Sequence, residues 1–362
     1  MKRARWLALG TVALTVVLAT AGTAAGAGKN HNNGGYTVTP LVSDQAGVAP
    51  VTDPNLVNGW GISAGPQTPW WVANNGTSTS TLYDKAGTRF PPPPAPTPLV
   101  VSVPTQPTGT VFYGGTQFLV SGASGMVPAK FIFATEAGTI QGWPPGAGST
   151  VTGFDGSKWG AVYKGLATAG DWLYATDFHN GRVDIVDGNW KLVTKPGAFS
   201  DPWLPKGYAP FGIQNLGGYI FVSYAKQVKG SDDEADGKGL GIVDEYSTDG
   251  VLLHRVATRA KLDAPWGLAW APATGFGKAS GTLLVGNFGD GYINTYRPNH
   301  KGRWKWNGRL LTKEKKPVWI DGLWGIGFGN GFAAGPVDTL YFAAGPADES
   351  HGLYGSITAN IP

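Results

Sequence analysis

NGWGIS at residues 58–63 returns as APFGIQ at 209–214, APWGLA at 264–269 and GLWGIG at 322–327. Each copy sets a glycine (Gly61, Gly212, Gly267, Gly325) between an aromatic and an aliphatic residue. The last two intervals are 55 and 58 residues and the first is 151. The long gap has room for two diverged copies, and QPTGTVFYG (106–114) and VYKGLATAG (162–170) stand where they are expected. Six copies at a near-constant period indicate a repeat architecture.

A β-rich run ending in turn residues follows each copy: WWVANNG (70–76), KFIFATEAG (130–138), WLYATDFHNG (172–181), YIFVSYAKQ (219–227), TLLVGNFGDG (282–291) and TLYFAAGPADESHG (339–352). Third strands such as GRVDIVDG and YINTYRPN alternate apolar residues and end on turn chemistry. PLVVSVP, KLVTKPGAF, LLHRVATRA and RWKWNGRLL supply a fourth. Four antiparallel strands per unit and six units predict an all-β fold, a six-bladed β-propeller. The regular spacing weighs against a sandwich or two-domain all-β chain. The sixth repeat stops at its third strand, GLYGSITAN, while YTVTPLVSD (36–44) precedes the first repeat unassigned. That N-terminal strand is expected to complete the last blade and close the ring, leaving no open sheet edge. The repeat glycines fit innermost strands, where backbones crowd around the channel.

Composition agrees. With 56 glycines, 27 prolines and only 14% charged residues, the chain suits short strands and tight turns. It contains no cysteine, which excludes disulfides, thiolate metal sites and a cysteine nucleophile. Lys2, Arg3 and Arg5 precede an apolar stretch from Trp6 to about Leu18 and then small residues with an A-x-A site at Ala25-Gly26-Ala27. This is a secretory signal pattern. The expected organisation is a signal peptide over 1–27, a flexible polar segment over 28–35 and one propeller domain over 36–362. The mature chain, near Gly28 onward, would be secreted, extracellular or in the cell envelope, with no membrane span. Without the leader's three cations it carries 25 basic against 24 acidic residues, and nothing steers it to nucleic acid.

The strings NGWGIS, VANNGTSTSTLYD, FATEAGTIQGW, AVYKGLA, YATDFHNGRVDIVD, APFGIQN, YAKQ, APWGLA, LLVGNFGDGYIN and DGLWGIGFGNG, in this order, resemble a family of exported bacterial proteins described as NHL-like propellers. The resemblance runs from Tyr36 to Ile357. It implies the six-bladed fold and brings no activity with it. A more distant likeness to gluconolactonase-like propellers is one of fold.

In a four-stranded blade, the loops from strand two to three and from strand four to the next blade lie at one end of the ring. That end receives Asn74, Asn75, Glu136, Asp177, His179, Asn180, Lys226, Asn287, Asp290, Glu349 and His351. The blade-to-blade loops add Asp53, Asn55, Asn58, Asp263 and Asp321. The loops at the other end, such as SAGPQTP, NLGG and GNGFAAGPVD, are almost free of ionisable groups. Turn preference accounts for Asn, Asp and Gly one at a time but does not choose an end. A ligand site is therefore expected at the polar end of the channel. Its candidate binding residues are Asn74, Asn75, Asn180, Lys226, Asn287, Asp290, Asp321 and His351.

Asp177 and His179 suit a base with its orienting partner or two metal ligands, provided the strand continues to His179. With Glu136 they form the candidate catalytic set. The insertion VKGSDDEADGKG (228–239) gathers Asp232, Asp233, Glu234 and Asp236, oxygen ligands suited to calcium or another divalent cation. Asp232, Asp233 and Asp236 are the candidate metal ligands, although the insertion lacks the spacing and closing Glu of an EF-hand loop and a solvated acidic loop is the commoner reading of such a run. No G-x-S-x-G or H-E-x-x-H motif occurs. The favoured reading is a binding propeller for an extracellular small molecule, glycan or protein. The alternative is a metal-assisted hydrolase or lyase using Asp177, His179 and Glu136.

Overall fold

In the computed structural model, which describes residues 34–91 and 97–360, each repeat segment forms the innermost strand of its own sheet. The expected leader, residues 28–33 and most of the proline run at 90–98 lie outside the described residues. From the axis outward, blade one is Gly59–Ser63, Trp70–Asn74, Thr79–Tyr83 and Val100–Ser102. Blade two is Pro107–Phe112, Phe131–Thr135, Thr139–Trp143 and Val151–Asp155, with a hairpin (Leu119–Gly122, Gly125–Pro128) inserted after its first strand. Blade three is Tyr163–Ala169, Trp172–Asp177, Arg182–Asp187 and the short Leu192–Val193. Blade four is Tyr208–Leu216, Tyr219–Gln227, Ile242–Tyr246 and Leu252–Thr258, with Glu234–Ala235 paired to its second strand. Blade five is Pro265–Trp270, Leu283–Asn287, Ile293–Pro298 and Trp304–Arg309.

Blade six joins the two parts of the chain as the sequence predicts. Leu323–Phe328, Leu340–Ala344 and Leu353–Ala359 are followed by Tyr36–Ser43, antiparallel to the third strand from Tyr36 opposite Ala359 to Ser43 opposite Leu353. Val51–Thr52 adds a short parallel fifth strand. No described helix is long and apolar enough to cross a membrane.

The core lies between neighbouring sheets, because alternation turns every second side chain toward an adjacent blade. Val111, Ile132 and Ile140 of blade two pack against Leu166, Leu173 and Val186 of blade three. Leu284 and Ile293 of blade five meet Leu323 and Phe342 of blade six in the same way.

Two features recur in all six inner strands. The pairing of each with its second strand slips by one residue at the repeat glycine. This is a β-bulge, which bends the strand and re-aims a side chain. The glycines also touch the next blade. A Cβ on Gly61 would lie 2.6 Å from the carbonyl oxygen of Thr108, on Gly109 2.3 Å from the amide nitrogen of Leu166, and on Gly165 2.8 Å from the oxygen of Phe211. On Gly212 it would lie 2.1 Å from the oxygen of Trp266, on Gly267 2.4 Å from that of Trp324, and on Gly325 2.6 Å from that of Trp60. The contacts run once around the ring and return to blade one.

Gly212→Ala should therefore force two inner strands apart, costing about 1–3 kcal/mol or more as an overpacking change. Gly148→Ala, where an added Cβ meets nothing within 4 Å, is the control. Denaturant unfolding of the two variants checks this, and equal stabilities would contradict the crowded-ring account.

Candidate functional site at the channel mouth

The bulge gives special standing to the residue just before each repeat glycine. Around the ring these are Trp60, Thr108, Lys164, Phe211, Trp266 and Trp324, and four of the six are aromatic. Trp60 stacks on Trp324 with centroids 3.7 Å apart and planes 20° apart, and Phe288 covers Trp324 at 4.0 Å. Trp266 meets both tryptophans edge-on, and Phe211 meets Trp324 likewise. All but the half-buried Phe288 are buried, so this aromatic cluster fills the channel at that level. Two of the indoles are tied down: Trp266 Nε1 donates to the Lys164 carbonyl (3.1 Å) and Trp324 Nε1 to Asn58 Oδ1 (3.1 Å). Trp60 Nε1 is buried with no partner among the described residues.

Blade three sends Lys164 to this ring in place of an aromatic. Its side chain is only 3% exposed, and Nζ lies 2.5 Å from Glu136 Oε1 and 5.1 Å from the Trp60 ring centroid. Burial acts against the ammonium, but Glu136 and Glu234 outweigh it and hold its pKa above the ordinary lysine value. Glu136 Oε2 accepts from Asn75 Nδ2 at 2.8 Å. Asn58 Nδ2 donates to Glu349 Oε2 at 2.5 Å. Burial pushes the Glu349 carboxyl up, and the Asn58 bond opposes the shift. Glu234 is pushed up to about 7 by burial, against the attraction of Lys164.

The insertion at 228–239 carries Glu234 to this place. It leaves blade four, and Asp232 pairs with His179 of blade three at 2.5 Å, both half exposed. The Gly237 amide donates to Asp263 at 2.7 Å. Asp236 lies beside Gly289 of blade five and feels the charge of Asp348 of blade six. Blade four thus extends a strap over the mouth to blades three and five.

Of the candidate catalytic, binding and metal-ligating residues, Glu136 and Asn75 belong to this cluster. Asp177 does not join His179, because the strand ends at Asp177 and the chain turns before the imidazole. Asp177 is buried, accepts from Asn180 Nδ2 (2.7 Å) and the Val162 amide (3.2 Å), and pairs with Arg182 at 3.4 Å. Burial raises its pKa and the Asn180 bonds oppose this. Asn74 is fully buried and bonds the hydroxyls of Thr79 and Thr81. Asn287 donates to the Lys261 carbonyl and to Asp290, which also faces Arg309 at 3.5 Å. His351 pairs with Asp44 at 2.8 Å, tying the closing strand to blade six. Asp321 accepts from the Ala347 amide, and Lys226 is exposed on its strand.

The three candidate metal ligands face different partners: Asp232 faces His179, Asp233 accepts from the Ser231 hydroxyl, and Asp236 lies near Asp263. Among the described residues no three His, Asp or Glu side chains are placed to hold a metal ion together.

Lys164, Glu234, Asn58 and Glu349 complete the cluster and were not among the candidate residues. Asn58 and Glu349 lie on the polar end as read from loop order. For Lys164 the available signal was the repeat itself, since VYKGLATAG carries lysine where four copies carry an aromatic.

No family model matches the chain. It is 32% identical over 342 residues to Uncharacterized protein R648 of Acanthamoeba polyphaga mimivirus, covering 89% of this chain and 80% of that protein. It is 30% identical over 344 residues to Uncharacterized protein L690 of the same virus, covering 89% and 85%. A solved protein of unknown function from Bacteroides thetaiotaomicron superposes with a TM-score of 0.56 at 10% identity, over 89% of this chain and 76% of that one. That likeness is one of fold.

Because burial raises Glu234, the fold favours its neutral form. The stability this contributes is complete below the ordinary glutamate pKa near 4.5 and is lost as pH rises through about 7. Glu234→Gln should flatten the fall of melting temperature over that window relative to the parent. Parallel melting curves from pH 4.5 to 8 would show that Glu234 does not titrate as stated.

Proposed function

Since the chain belongs to the family of the mimivirus proteins R648 and L690, whose names assign no activity, we infer its function from its own side chains. We propose that it is a binding propeller that takes a small polar molecule at the Lys164 cluster. The observation that carries this reading is convergence. Asn58 precedes blade one, and Asn75, Glu136, Lys164, Glu234 and Glu349 come from blades one, two, three, four and six. A buried ammonium with several carboxylates is costly to desolvate and adds little net stability, so the fold alone gives no reason to assemble it. Perturbed, clustered groups of this kind mark functional sites.

The chemistry narrows the ligand. Glu136 pairs with the ammonium, Glu234 and Glu349 stand near enough to feel its charge, and the two amides add carbonyl oxygens, so acceptor oxygens outnumber donors. A molecule bearing hydroxyl or protonated amine donors, such as a sugar or amino sugar, complements that surplus, and the aromatic floor suits its apolar face. Entry requires the 228–239 strap to move, and its exposed His179–Asp232 pair is a weak tether. Export of this binder is supported by the leader pattern of residues 1–27. An intact mass of the secreted protein beginning near Gly28 is the expected result, and retained Met1 would contradict it.

Screening thermal stability with amino sugars, polyamines and neutral sugars tests the binding reading. A ligand at a hundred times its dissociation constant adds about 2.7 kcal/mol. Lys164→Met and Glu136→Gln should each remove that gain, and a ligand whose effect survives both changes binds elsewhere. A hydrolase or lyase reading has one observation in its favour: Glu234, with a pKa of about 7 beside Lys164, can hold and release a proton at neutral pH. Turnover itself separates the two, because a hydrolase or lyase converts its ligand and loses that conversion in Glu234→Gln, whereas a binder returns the ligand unchanged.

A further inference from the structure

The aromatic plug divides the channel, and the end away from Lys164 is an open chamber of about 560 Å3 to which all six inner strands contribute. This lies within the roughly 300–1,000 Å3 of small-ligand sites. The sequence explains why it exists. Two residues past each repeat glycine the chain carries Ser63, Val111, Ala167, Gln214, Ala269 and Gly327. Five of these are no larger than valine, and all six line the chamber without spanning it.

Three properties of the wall define what would fill it. None of the lining residues is ionisable, so a charged ligand would lose its hydration with no countercharge in return. Gln214, the exception among the small residues, also lines the narrow throat toward Trp266. Its amide takes no part in the hydrogen bonds among the described residues, which leaves two donors and an acceptor for a ligand. The next ring outward brings Phe112, Trp270 and Phe328 to the rim, and Trp270 is 41% exposed although it belongs to an innermost strand. Aromatic faces beside uncharged amide and hydroxyl groups are complementary to a molecule with alternating C–H and O–H surfaces.

We propose that this chamber is a second ligand site, distinct from the Lys164 cluster, for a neutral polyhydroxylated molecule of about disaccharide size. Gln214 hydrogen-bonds its hydroxyls from the throat, and Trp270 covers its C–H face at the rim. The walls of Ser63 and Thr110, whose hydroxyls face each other at 3.3 Å, offer a further pair of polar contacts.

Calorimetric titration of the full protein with maltose and cellobiose, and with glucuronic acid and glucosamine as charged counterparts, tests this. At least one neutral disaccharide should bind and neither charged sugar should enter the chamber. Gln214→Leu and Trp270→Ala should each weaken the binding at least tenfold, while Lys164→Met leaves it unchanged. In the parent protein the bound sugar should show nuclear Overhauser contacts to the methyl groups of Ile62 and Ile326, a readout that needs no variant. No binding by either disaccharide, affinity surviving both chamber variants, or contacts to neither methyl group overturns the proposal. Loss of the sugar in Lys164→Met alone would assign it to the opposite mouth and likewise remove the second site. Failure of the Lys164 reading, by contrast, leaves the chamber result untouched.

Discussion

Each repeat glycine stands so close to the inner strand of the next blade that a Cβ there would collide with its backbone. Six such contacts, from Gly61 on Thr108 round to Gly325 on Trp60, set how near the blades come and hence the bore of the channel. Any side chain at these positions would push one blade outward, and because the ring is closed by Tyr36–Ser43 on Leu353–Ala359, the displacement has nowhere to dissipate. Closure and crowding depend on each other. The strand that seals blade six holds the ring tight, and the glycines let it be tight.

The same glycines carry the functional geometry, because the bulge at each one hands the preceding residue to the axis. Where that residue is tryptophan or phenylalanine, the blade contributes to a dry plug. Where it is Lys164, a charge is carried into a region that three indoles have already desiccated. An ammonium there requires carboxylates, and no inner strand supplies one. Glu136, Glu234 and Glu349 therefore arrive on loops of three other blades, and Asn58 and Asn75 orient two of them. One substitution in a repeat thus explains why the polar loops of several blades bend toward a single point.

Much of the fold was readable because repetition multiplies a weak signal. One W-G-I string says little, whereas four copies with two more at the expected intervals fix blade number, and the leftover strand at 36–44 fixes closure. The polar end was also readable, since strand order alone assigns each loop to a face, and Glu136 and Asn75 followed from it. What sequence could not give was reach. Asp177 and His179 are two residues apart, yet the turn between them sends one into the blade interior and the other to a surface pair with Asp232. Glu234 stands among four acidic residues of one insertion, and only the path of that strap across the mouth tells it from Asp232 and Asp236. Burial separates them, and burial belongs to the assembled ring.

The inner strand can be followed past the glycine as well as before it. Before the glycine four of the six side chains are aromatic and close the channel; beyond it five of the six are no larger than valine and the channel reopens. The two faces of the plug then differ in kind. On one side, loops bring ionisable groups together beside the 228–239 strap. On the other, strand ends diverge and leave a neutral, open chamber whose few polar groups are amides and hydroxyls. A charged molecule gains countercharge only on the first side, and a neutral one avoids the cost of displacing a buried ion pair only on the second. The tryptophans therefore do more than fill the axis: by excluding water between the two ends they let a single ring of strands present two separate chemistries.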